Sequence, residues 1–339
     1  MLNVRLSVLV LAGLSLVSVS RGVTVVEDFS TNPLQAGWQV FGDTNLFSWN
    51  SISGNLEVTW DSSHPNSYFY YPLGAQFTRY DNLSVEFDLT LSDIASGAEP
   101  GKTGPMEIGV GFLNSAGATN SNFMRGAWGG APNVAEFDYY PSGYYDGGYM
   151  VVPTTTPSFI SGINSRDYAP AYLDAYEYEL PTGQPVHVLL TYSAASQTAV
   201  LTLTTNGVPL ALLPGLVLNN PTNSQFTATD DFRVDMFSIN SYSSNGDDYD
   251  SVLAHGTVDN LVVTASLVPI GQITGAFTAG GAWAAQFFAR SNWVYTLERT
   301  SDFKSWASVS ATLRGTESNM SLRDTNTLPA KAFYRVRAD

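Results

Sequence analysis

The chain has 339 residues, 15 Lys and Arg against 30 Asp and Glu, a formal net charge of −15, and no cysteine. Lack of cysteine excludes thiol catalysis, disulfide support and cysteine-bound metals. The acid excess argues against nucleic acid and against anionic membrane surfaces as partners.

Met1-Leu-Asn-Val-Arg5 is a basic start, Leu6 to Val17 is an apolar run, and Ser18 to Ser20 are small. That order predicts a secretory signal peptide over residues 1–20. The run is too short to span a bilayer, and no later stretch holds about 18 or more apolar residues, so no membrane span is expected. Beyond it, β-branched and aromatic residues alternate with polar ones in 56–60, 84–91, 107–112, 134–138, 186–192, 199–204, 232–239 and 256–264. Gly, Asn, Asp, Ser and Pro punctuate these runs, as they do between strands. No window longer than about ten residues carries a 3.6-residue period. The pattern predicts an all-β sandwich or jelly roll of short antiparallel strands, with one helical turn around 168–178.

Leu267-Val-Pro-Ile-Gly271 reads as a linker between a domain at 21–267 and a small β module at 268–339. Their charges differ: the first carries 25 acidic and 6 basic residues, the second 5 acidic and 8 basic. Strands are expected in the module at 286–289, 293–298, 307–309, 320–322 and 333–337, with no cluster of titratable residues resembling a pocket.

The stretch from Ala131 to Tyr149 is the richest in chemistry. If it begins as a strand, Glu136 and Asp138 share one face, because side chains alternate with period two. Ser142, Asp146 and the carbonyls of a glycine-rich turn add oxygen donors of the kind that hold calcium. Tyr139, Tyr140, Tyr144, Tyr145 and Tyr149 add flat aromatic faces. A platform of Trp128, Tyr144, Tyr145 and Tyr172 is the expected surface for sugar rings. The competing reading has these rings packing long loops onto the sandwich. Trp60 and Phe87, on alternating strands, belong in the core.

Gly129-Gly130, Asn133 and Val134-Ala-Glu-Phe-Asp-Tyr-Tyr-Pro-Ser142 form a glycine loop followed by an acidic strand. Pro185-Val-His-Val-Leu-Leu-Thr-Tyr192, then Leu201-Thr-Leu203 and Asn206-Gly207, read as two strands and a hairpin turn. Gly256-Thr-Val-Asp-Asn-Leu-Val-Val263 reads as a closing strand. In this order, the stretches resemble the concanavalin A-like lectin/glucanase superfamily, with its legume-lectin and laminin G-like sandwiches, over about Val25 to Ala265. The resemblance implies a concanavalin A-like jelly-roll sandwich, followed here by a small β-sandwich module. It implies calcium held by Asp138, the Tyr140 carbonyl, Ser142 and Asp146, and a polysaccharide or glycan as partner. Ser142 stands where legume lectins place an asparagine, and Ile108 where they place the sugar-binding aspartate. In the module, Tyr295-Thr-Leu-Glu-Arg-Thr-Ser-Asp-Phe-Lys-Ser-Trp306 and Phe333-Tyr-Arg335 resemble a short C-terminal β module of secreted multidomain bacterial proteins.

Three functions follow as expectations. The favoured one is a secreted, extracellular or cell-surface protein that binds glycans without catalysis, assisted by calcium. The second is a glycoside hydrolase of the glucanase branch, with Glu136 as nucleophile and Asp138 as partner. There the third carboxylate position falls on Tyr140 or Pro141, so a distant Glu177 or Glu179 would have to serve as acid. The third is a structural or adhesive surface protein. His187, in an alternating strand, reads as structural, and Asn245-Gly-Asp-Asp-Tyr-Asp250 as a solvated turn with cation-binding potential.

Overall fold

The computed structural model describes residues 21–123, 133–141, 150–155, 179–212, 216–217, 232–246, 249–291, 293–327, 329 and 331–339. The chain divides into two compact units, Gly22–Ser266 and Leu267–Asp339. In chain order the first contains β1 (Arg21–Glu27), β2 (Gln39–Phe41), β3 (Phe47–Asn50), β4 (Asn55–Asp61), β5 (Ser67–Thr78), β6 (Asn82–Ser96), β7 (Gly104–Pro105) and β8 (Ile108–Leu113). It continues with β9 (Val134–Tyr140), β10 (Met150–Thr155), β11 (Val186–Ser193), β12 (Thr198–Thr205), β13 (Val208–Leu212), β14 (Leu216–Val217), β15 (Arg233–Ser241) and β16 (Asp250–Leu267). The α-helix among the described residues is one short turn, Ser115–Ala118, capped by the Asn114 side chain, which accepts from the Gly117 N–H.

The strands form two sheets. One runs β13-β12-β11-β6-β16-β4-β3, with β1 and β7 also on β16 and β14 on β12; the other runs β10-β9-β8-β15-β5-β2. Sequence-adjacent hairpins such as β11-β12 and β8-β9 are joined by antiparallel pairs between strands distant in sequence, such as β6 beside β16 and β8 beside β15. This is the jelly-roll sandwich that the resemblance implied.

The first sheet shows the alternation read from the sequence. In β11 and β6, buried residues alternate with half-exposed ones, so one face packs inward and the other meets water. Trp60, Phe87, Val188 and Leu203 point inward from it. Phe69, Val110, Phe137 and Phe237 are buried in the second sheet, and the Phe87 and Phe137 rings meet edge to face at 5.9 Å. The imidazole of His187 lies instead on the half-exposed face, its Nδ1 2.9 Å from Asp88 Oδ1 on the neighbouring strand.

The second sheet departs from that alternation. Every residue of β8 and of β9 is buried, so its outward face is covered here. The second unit adds β17 (Thr274–Phe277), β18 (Trp283–Ala289), β19 (Val294–Thr300), β20 (Ala307–Ser308), β21 (Leu313–Arg314), β22 (Ser318–Asp324) and β23 (Phe333–Ala338). These make a sheet β17-β18-β22 and a second built on β19 with β20, β21 and β23. Their core holds Trp283, Phe287, Tyr295, Leu297 and Leu322, with Trp283 stacked on Tyr334 at 4.0 Å.

Candidate functional site

The acidic strand of the sequence is β9, and its register places the side chains. Glu136 lies opposite Gly111 and Asp138 opposite Gly109. Continuing across the sheet, Gly111 faces Ser238 and Gly109 faces Asn240. Ser238 then pairs with Tyr70 and Asn240 with Tyr68, and these pair with Gln39 and Phe41. Two rows therefore cross the outward face of the sheet. They are acidic at β9, bare at β8, amide and hydroxyl at β15, and aromatic at β5.

The glycine column lets Glu136 on β9 reach across β8 to β15 and the residue after it. Glu136 Oε2 accepts from Asn240 Nδ2 at 2.9 Å and from the Tyr242 hydroxyl at 2.7 Å. A Cβ on Gly109 would sit 2.7 Å from the Tyr242 ring and 2.9 Å from Glu136 Oε2, so any larger residue would separate the partners. Glu136, Asp138, Ser238 and Asn240 are all fully buried. A carboxylate in such a place is tolerable because its hydrogen-bond donors are supplied. Tyr242 in turn meets Tyr68 edge to face at 6.1 Å and Phe123 at 6.3 Å. The Tyr68 hydroxyl donates to the Ala118 carbonyl, so the segment after the short helix lies over this face.

As expected, Glu136 and Asp138 share a face. Tyr140 is on the same face and fully buried. Glu179 is exposed, and the next residue, Leu180, donates its N–H to the hydroxyl of Tyr139. Tyr139 projects to the other side of β9 from Glu136, so Glu179 is not brought to Glu136. Ser142, Asp146, Trp128, Tyr144, Tyr145, Tyr172 and Glu177 lie outside the described residues, as does the helical turn expected at 168–178. Among the described residues no three acidic or imidazole groups converge as a metal site. The expected calcium donors are all hard oxygens, which suits the ion. Two of the four, Asp138 and Tyr140, stand on adjacent same-face positions of β9.

Asn240 and Tyr242 were not expected at the site. The signal was present as Ser238-x-Asn240-x-Tyr242, polar groups at every second position from Ser238 on, and as Gly109-x-Gly111 on the strand between.

No family model and no curated protein sequence matches the chain. Solved structures with a similar chain path include peanut lectin in complex with a nine-residue peptide, 13% identical, covering 73% of this chain and 98% of that one at a TM-score of 0.41. Lectin II from Ulex europaeus is 12% identical, with coverage of 73% and 98% and a TM-score of 0.41. Basic winged bean lectin with Tn-antigen is 9% identical, with coverage of 73% and 99% and a TM-score of 0.39. The assignment of the fold stands on the strand order and burial above.

Proposed function

We propose that this is an exported protein that binds glycans through its sandwich unit without cleaving them. What supports this best is the state of Glu136, which is fully buried with Oε2 held by Asn240 and Tyr242. A retaining hydrolase needs a nucleophilic carboxylate open to the sugar, with a second carboxyl about 5 Å away across the bond. A carboxylate sealed beneath aromatic rings serves as an anchor for the surface above it. The tyrosine-rich stretch after β9, with Trp128 ahead of it in the sequence, supplies the aromatic faces that sugar rings stack on. Calcium, held by Asp138, the Tyr140 carbonyl, Ser142 and Asp146, would add positive charge beside buried carboxylates and fix the following loop. Residues 1–20 direct the chain to the secretory route, and its place of action is outside the cell or on its surface.

The experiment is incubation with soluble neutral polysaccharides, reading both co-sedimentation and new reducing ends. Binding without new reducing ends is the expected result. Reducing ends that vanish in the Glu136→Gln variant would replace this reading with the hydrolase.

A further inference from the structure

A groove of about 580 Å3 opens between the end of β2, the chain just before β5, the segment after the short helix, and the chain leaving β15. It lies on the β5 side of the sheet, three strands from β9 in the order β9-β8-β15-β5. Resting on the glycan-binding reading, we propose that this groove binds a neutral sugar unit of a polysaccharide.

The chemistry of the walls specifies the class. Phe41 is half-exposed and stacks on Tyr68 at 5.7 Å and 15°; with Pro65 and Phe123 it gives apolar surface in the groove. The polar lining is amide and hydroxyl, notably Asn120, Asn122, Ser243 and Asn245, and among the described residues none that lines it is charged. Amides both donate and accept, as sugar hydroxyls do. A domain with 25 acidic and 6 basic residues disfavours uronates and sulfated sugars, which its field repels. The volume falls within the range of about 300–1,000 Å3 usual for ligand sites.

The walls are fixed before any ligand arrives. Asn66 Nδ2 donates to the Phe123 carbonyl at 2.8 Å, and its Oδ1 accepts from the Ser243 N–H at 2.8 Å, so one side chain ties two walls together. Asn120 Oδ1 accepts from the Asn122 N–H at 2.9 Å. Behind Ser243, the Ser244 N–H bonds the Ser62 carbonyl, and Lys102 Nζ donates to the Ser244 carbonyl. Pre-ordered walls reduce the entropy lost on binding. The exposed side chains of Asn122 and Asn245 are left facing the ligand space.

The test is affinity electrophoresis of the full chain and of the Asn122→Ala/Asn245→Ala double variant. The neutral probes are soluble β-glucan, galactomannan and xylan, and the acidic probe is alginate. Thermal unfolding of both proteins checks that exposed substitutions leave the fold intact. The proposal expects retardation by a neutral polymer and none by alginate. It also expects about a tenfold weaker affinity in the double variant, the factor that two ordinary hydrogen bonds supply. Equal retardation of both proteins would overturn the groove and leave the glycan-binding reading standing. Retardation by alginate alone would overturn the neutral class, and no retardation of the wild type would overturn groove and glycan binding together.

Discussion

Replacing Glu136 separates an anchoring carboxylate from a catalytic one. Glu136→Ala removes the acceptor of two buried donors, Asn240 Nδ2 and the Tyr242 hydroxyl, from a fully buried position. Each buried donor left without its partner costs about 1–3 kcal/mol, so the pair costs about 2–6 kcal/mol. A domain is stable by only about 5–15 kcal/mol. At a slope of about 3 kcal/mol per molar urea, a loss near 3 kcal/mol lowers the unfolding midpoint by about 1 M. Glu136→Gln keeps the shape and one acceptor oxygen, and should lose less. Urea unfolding followed by circular dichroism checks both variants. A catalytic carboxylate held ready for substrate is commonly retained at a cost to stability, so its removal tends to stabilise. A midpoint for Glu136→Ala equal to or above the wild type would refute the anchoring account.

Three further predictions concern single positions elsewhere in the fold. Gly111→Ala would drive a Cβ into the backbone of Glu136 and the Ala135 carbonyl, which cannot swing aside; overpacking of this kind costs about 1–3 kcal/mol, read by the same urea titration. Gly280→Ala, whose added Cβ meets nothing within 4 Å, should stay within about 0.5 kcal/mol of the wild type. For Asp259, burial pushes the carboxyl above its ordinary value of 3.8, Asp88 and Asp28 push the same way, and the Asn260 N–H opposes them. A raised folded-state value means the folded chain holds the proton more tightly, so stability falls as pH rises from about 3.8 through the raised value. Asp259→Asn should therefore raise the thermal midpoint at pH 7 and give no gain at pH 3, as calorimetry at the two pH values will show.

Period-two alternation made the first sheet legible, because one face of β4, β6, β11 and β12 packs inward while the other meets water. It does not hold in β5, around the run Tyr68-Phe-Tyr-Tyr71. Tyr68 and Phe69 are both buried there, and the run is followed by Pro72 and a register shift in the pairing with β15. Edge strands such as β2 and β3 are too short for any pattern to show. At the site, the shared face of Glu136 and Asp138 followed from local geometry alone. The sealing of Glu136 did not, because Asn240 and Tyr242 lie 104 and 106 residues further along. Only the pairing of β8 with both β9 and β15 brings them together. The groove was equally hidden, since its walls come from four stretches between Phe41 and Gly246.

Glycan binding by the sandwich is most directly tested by affinity electrophoresis of the chain without residues 1–20, in gels containing neutral polysaccharides, run once with calcium and once with chelator. The account predicts retardation by a neutral glycan that weakens when calcium is removed, with the polymer keeping its length. Migration unchanged by every polysaccharide in both buffers would contradict it and leave a structural or protein-binding role as the better description.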